Sequence, residues 1–101
     1  MKSPLLTETI EDGIRAWTFD QPGSSANVLG TMVFDAIERE LDLLESKDVG
    51  ATALLIRSAK PSIFLAGADL NELRQTRKRD LGILVERGQR IFDRLASLPF
   101  P

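Results

Sequence analysis

An amphipathic helix set between two β-type stretches constrains this chain more than any other feature. Leu29, Val33, Ile37, Leu41 and Leu44 recur at intervals of four, four, four and three, which lines one helix face over several turns. Before them, Leu5 to Phe19 holds two alternating stretches parted by Asp12-Gly13, a dipeptide suited to the positive φ angles of a tight hairpin. After them, Ala51 to Ile56 (ATALLI) is a continuous apolar run, which fits a strand covered on both faces. Strand, helix and strand in that order predict a βαβ-type crossover. Ile14, Ala16 and Thr18 fall on one side of their strand, and Arg15, Trp17 and Phe19 on the other. The single Trp is accounted for by packing within that alternation. Asp35, Glu38, Arg39, Asp42 and Glu45 lie largely off the helix stripe and read as a solvated face, not as an acid/base pair. Lys47-Asp48-Val49-Gly50 reads as the helix end, with Gly50 as the stop.

The stretch richest in chemistry is Ile63 to Leu73, IFLAGADLNEL. Ile63-Phe64-Leu65 fits a short buried strand. Ala66-Gly67-Ala68 is nearly bare backbone, and Asp69 with Glu72 makes a capping-box-like D-x-x-E that predicts a helix start. Main-chain N–H groups at such a junction can point at a ligand oxygen. Small residues between a strand and a helix more often serve close packing than binding, so the residues alone favour packing.

Gln21 to Asn27 (QPGSSAN) is a loop with Pro22-Gly23 as its turn signal. Lys60-Pro61-Ser62 is a connector. Arg74, Arg77, Lys78 and Arg79 crowd the end of the predicted short helix. They read either as a phosphate-gathering patch or, preferably, as a solvated end whose charges suit the C-terminal dipole. Asp80 is read as the cap of a second helix with Leu81, Leu84, Val85, Ile91, Phe92 and Leu95 as its stripe. Gly82 and Gly88 weaken that helix. Pro99 ends it, and Phe100-Pro101 continues extended.

With no Cys, His or Tyr, thiolate, imidazole and phenol chemistry are excluded, together with histidine or thiolate metal ligation. A metal site is therefore not expected. A net charge of −2 argues against nucleic acid or an anionic membrane as the main partner. There is no signal-peptide pattern after Met1 and no apolar run of spanning length, so a cytoplasmic chain is expected. The 101 residues, 43% of them hydrophobic, suit one modest core. Two apolar strands that want neighbours on both sides, and an apolar extended ending, mark residues 1–101 as a single partial domain. Uncovered edges of that kind favour homo-oligomers.

At IFLAGADLNEL, preceded by ALLIRSAKPS and ANVLGTMVFDAIEREL, the chain resembles the crotonase (enoyl-CoA hydratase/isomerase) superfamily from about Gly13 to Pro101. The wording is most similar to the N-terminal hydratase part of multifunctional fatty-acid oxidation enzymes, where a 3-hydroxyacyl-CoA dehydrogenase region follows. The resemblance implies an α/β fold, the N-terminal portion of a crotonase-type ββα spiral with a β-hairpin, a helix, buried strands and two C-terminal helices. It implies a coenzyme A thioester as substrate and no covalently bound cofactor. The parent reaction it implies is hydration of 2-enoyl-CoA to 3-hydroxyacyl-CoA in fatty-acid β-oxidation. Enoyl-CoA isomerase or acyl-CoA hydrolase chemistry, and a non-catalytic self-associating fragment, are the alternatives.

By the same resemblance, the Ala68 backbone N–H is one half of the oxyanion hole. Ala66, Gly67, Asp69 and Leu70 match positions around coenzyme A, and Ala26 sits where the family's first loop touches it. Asn71 stands where several members carry Lys, which leaves Arg74 as the candidate for a phosphate contact. The family's second oxyanion donor and catalytic glutamates have no counterpart in these residues. The chain by itself is therefore expected not to hydrate enoyl-CoA.

Overall fold

A computed structural model describes residues 3–46 and 50–101. The expected helix end at Lys47 to Val49 lies outside the described residues. Strand β1 (Leu5–Thr9) and strand β2 (Ile14–Phe19) pair antiparallel, with Leu5 opposite Phe19 and Thr9 opposite Arg15. They are joined through a 3-10 turn, Glu11–Gly13, in which Asp12 and Gly13 take φ of 61° and 75°. Those are the left-handed angles the dipeptide predicts. Helix α1 (Thr31–Glu45) then crosses over to strand β3 (Ala53–Ser58), which runs parallel to β2 in the sheet order β1-β2-β3. Helix α2 (Leu70–Gln75) and helix α3 (Lys78–Ala96) complete the chain.

The core lies between one sheet face and α1. Leu5, Trp17 and Phe19 meet Val33, Phe34, Ile37, Leu41 and Leu44 there, and Ile91 of α3 closes the cluster. Trp17 is fully buried, as packing requires. Gly88 is what lets α3 approach: a Cβ at that position would sit 3.2 Å from Phe34 Cζ. A residue that only weakens the helix by propensity is thus a contact point between helices.

The acidic face of α1 is not simply solvated. Arg87 binds Asp35 and Glu38, and Arg94 binds Asp42 at 2.7 Å and Glu45 at 2.6 Å. Each carboxylate pair is three residues apart, and the pairs and the two arginines each repeat at seven. This is the spacing of one face along two packed helices. Arg87 also lies over the Phe34 ring, 5.7 Å from its centroid. The Arg94 hydrogen bonds hold the Glu45 carboxyl below its ordinary pKa, and Glu45 and Asp42 raise that of Arg94.

A carboxylate whose folded pKa is depressed stabilises the fold above its unfolded pKa and loses that contribution as pH falls through the folded value. Melting of the wild type is therefore expected to drop more between about pH 5 and pH 3 than melting of Arg94→Gln. Glu45 and Asp42 are exposed and Arg94 is half-buried, so the difference is a few degrees and shrinks in salt. Equal slopes in the two proteins would show that the clamp contributes nothing.

Four expectations are corrected. Ile63-Phe64-Leu65 is not a buried strand, since Ile63 and Phe64 are exposed and the segment bends after Pro61. Ile63 O and Phe64 O accept from side chains, and backbone ladder pairing begins only at Ala66. The apolar run at Ala51 forms β3, displaced to Ala53–Ser58, but Leu55 and Ile56 remain exposed. It is not covered on both sides, and beyond β2 its own edge meets Pro101 O, which accepts from Leu54 N–H at 2.7 Å. The basic cluster straddles two helices. Arg74 is in the last turn of α2, whereas Arg77 caps the start of α3 and Lys78 and Arg79 occupy its first turn. There the helix dipole disfavours positive charge. Asp80 accordingly lies inside the first turn of α3, not at its cap.

Candidate functional site

The site is built where two loops run side by side. Asn27 O accepts from Ala66 N–H at 2.7 Å, Leu29 N–H donates to Gly67 O at 2.7 Å, and Asp69 N–H donates to Leu29 O at 2.8 Å. These three bonds make a short parallel ladder centred on the Leu29–Ala68 bridge. In this parallel bridge Leu29 makes both bonds, to Gly67 and Asp69 on either side of Ala68, and the N–H and C=O of Ala68 itself face the opposite edge. The Ala68 N–H therefore points away from Leu29, and among the described residues no acceptor engages it. Gly67 makes the bend with φ of 104°, which a residue bearing Cβ resists.

Asp69 then starts α2. Its side chain accepts from Glu72 N–H at 3.2 Å. Only half of the expected capping box forms, because the Glu72 carboxylate is turned elsewhere. Thr31 N–H donates to its two oxygens at 3.0 and 3.2 Å, and the Thr31 hydroxyl donates at 2.6 Å.

The first loop is held just as firmly. Asn27 is buried, its Oδ1 accepting from Gln21 N–H at 3.0 Å and its Nδ2 donating to Ser58 Oγ and Phe64 O. Lys60 Nζ donates to Gln21 O at 2.8 Å and Ser24 O at 2.6 Å, and pairs with Asp20 at 3.0 Å. Nothing in the sequence distinguishes Asn27 or Lys60 from ordinary loop residues, because apart from Gln21 beside Asn27 the partners of their side chains lie more than 30 positions away.

Two clefts meet at Ala68. A polar one of about 550 Å³ is lined by Gln21 to Ser24, Val28, Ala66, Ala68, Asp69, Leu70, Asn71 and Arg74. An apolar one of about 200 Å³ is lined chiefly by Leu29, Phe34, Ala68, Leu84, Val85 and Phe92. The structure thus gathers Ala66, Ala68, Asp69, Leu70 and Asn71 at one opening, and adds Arg74 at its rim. Among the described residues Arg74 has no ion-pair partner. Gly67 shapes the turn without lining either cleft. Ala26 is part of the first loop, its N–H donating to Ser24 Oγ at 3.2 Å, and it does not line the polar cleft. The arrangement suits an elongated ligand with a polar end, an apolar end and a hydrogen-bond acceptor between them.

Both nearby carboxylates accept hydrogen bonds from the protein. Asp69 is committed to its cap and Glu72 to Thr31. Among the described residues no group of three or more carboxylates gathers as a metal site, and no helix is long and apolar enough to cross a membrane.

No protein-family model matches the chain. It is 34% identical over 94 residues to the fatty acid oxidation complex subunit alpha of Aliivibrio fischeri, covering 91% of this chain and 14% of that protein. The corresponding subunit of Idiomarina loihiensis is 34% identical over 95 residues, 93% of this chain and 13% of the relative. The chain thus spans about one seventh of the length of these relatives. Among solved structures, an enoyl-CoA hydratase from Mycobacterium smegmatis superposes with a TM-score of 0.87 at 23% identity, covering 99% of this chain and 38% of the other. One from Bacillus anthracis gives 0.86 at 16% identity, covering 97% and 37%. The α/β arrangement of hairpin, crossover helix and paired C-terminal helices is the fold that these hydratases share.

Proposed function

We propose, from the premise that this chain has the crotonase fold and is similar to the N-terminal, crotonase-type region of fatty acid oxidation alpha subunits, that it is the acyl-CoA-binding part of an enoyl-CoA hydratase. The observation that carries this is the unengaged Ala68 N–H at the meeting of a polar and an apolar cleft. A thioester carbonyl set there gains negative charge as it becomes an enolate, and a fixed N–H donor stabilises that charge. The coenzyme A moiety occupies the polar cleft, with Ala66, Asp69, Leu70 and Asn71 along it and Arg74 meeting a phosphate. The acyl chain occupies the apolar cleft beside Leu84, Val85 and Phe92.

The reaction served is hydration of a 2-enoyl-CoA in β-oxidation, in a cytoplasmic protein that also carries a 3-hydroxyacyl-CoA dehydrogenase region. The chain supplies one oxyanion donor. The groups that move water's protons come from outside residues 1–101, a single partial domain. Titration of the protein with a saturated acyl-CoA, followed by calorimetry and by the Ala68 amide resonance, tests this. Heat of binding with a downfield shift of that resonance is expected, along with weaker binding of free coenzyme A, which has no thioester carbonyl. Equal binding of the two ligands, or an unmoved Ala68 resonance, contradicts it.

A second reading has its own observation. Val85 and Phe92, seven residues apart on α3, are at least half exposed, an apolar face that would pair between copies. A stable oligomer that takes up no acyl-CoA would favour this reading over the first.

A further inference from the structure

Resting on the acyl-CoA reading, we propose that Glu72 is a positioning residue that sets the aim of the Ala68 amide by clamping the Gly67–Asp69 turn onto the start of α1. Helix α1 begins without a cap of its own. Gly30 occupies that place, and no side chain of its segment accepts from the first turn. Glu72 supplies the missing acceptor from 41 positions further on, through both the N–H and the hydroxyl of Thr31. Its charge also suits the positive end of the helix dipole.

Gly30 makes the approach possible, since a Cβ there would lie 3.2 Å from both Asp69 Cβ and Glu72 Oε2. The turn is thereby held at two points. The Leu29 ladder fixes its backbone on one side. On the other, the Glu72 carboxylate ties the first turn of α2 to Thr31 of α1, and the Glu72 N–H bond to Asp69 carries that hold to the turn. Ala68 lies between these anchors and inherits its orientation from them. With both carboxylate oxygens held by Thr31, Glu72 orients a donor instead of exchanging a proton.

The discriminating quantity is the ratio of affinities for acyl-CoA and free coenzyme A. Only the thioester presents a carbonyl to Ala68. A change confined to overall stability would weaken both ligands alike. Glu72→Ala is expected to lower the ratio about tenfold, the scale of one charge-assisted hydrogen bond, and Glu72→Gln to recover most of it by accepting from Thr31 N–H. Thr31→Val keeps the N–H and loses the hydroxyl, so it falls between them. It also decides the matter if Glu72→Ala fails to fold. Variants that keep the wild-type ratio, whatever their melting temperature, overturn the positioning role and leave the acyl-CoA reading intact. A wild type with no preference for the thioester overturns both.

Discussion

Ala68→Pro is expected to abolish the preference for acyl-CoA over free coenzyme A while changing Tm by only a few degrees. Proline removes the backbone N–H altogether. At most positions that would also break a structural bond, but the ladder here uses Leu29 N–H, Gly67 O, Asp69 N–H and Leu29 O. The one group deleted is the one that no acceptor engages among the described residues. Gly67, the residue that proline restricts next, is the most tolerant neighbour available.

In a complete hydratase the loss of one oxyanion donor costs roughly 100- to 1000-fold in rate. In binding, the reading is the disappearance of discrimination between the two ligands. Ala68→Gly keeps the N–H and serves as the control, with the preference retained. Calorimetry and thermal melts of the three proteins check the result. A proline variant that still prefers the thioester would mean that the carbonyl is held by some other group.

The elements legible from sequence are those whose signal is local. Asp12-Gly13 sets the hairpin, the leucine spacing sets α1, and a helix between two β stretches is enough to place β3 parallel beside β2. Asp69 announces the start of α2 by its own side chain. What fails is everything that depends on coverage. Ile63 to Leu65 and Leu55-Ile56 look buried by composition, yet burial is decided by what stands opposite, and there the apolar runs face outward. The cluster from Arg74 to Arg79 reads as one helix end because the break at Thr76 is marked by neither Gly nor Pro.

The acidic face of α1 shows the limit in another way. Its carboxylates are alike in sequence, but the seven-residue repeat shared with Arg87 and Arg94 separates clamp from solvent. That repeat is a property of the residue order alone. So is the Ala68 turn, whose small residues by themselves point to packing before binding. Only the direction of one amide, fixed by a ladder to residues some 40 positions earlier, favours binding.

Glu40 carries the largest expected effect on stability. It sits in the apolar stripe, at the third place of Val33, Ile37, Glu40 and Leu44, and is buried with them. Arg15 Nε donates to its Oε1 at 2.5 Å, Arg15 Nη2 donates to its Oε2 at 3.2 Å, and Trp17 Nε1 donates to Oε1 at 3.1 Å. One carboxylate thus neutralises a guanidinium and satisfies an indole N–H that is wholly enclosed. Glu40→Ala leaves both donors unpaired and opens a hole beside the fully buried Trp17 and Leu41. Breaking a buried pair from one side costs about 3–5 kcal/mol. Arg15 can still reach Thr7 and Thr9, to whose hydroxyls it already donates, so the lower end applies, about 3 kcal/mol. Tm then falls by more than about 10 °C. Glu40→Gln keeps an acceptor for Trp17 and loses the charge, so it is expected to cost roughly half as much. Denaturant and thermal melts of both variants separate the two contributions. A Glu40→Ala protein as stable as the wild type would mean that Arg15 and Trp17 find other acceptors, and that this polar contact in the core is dispensable.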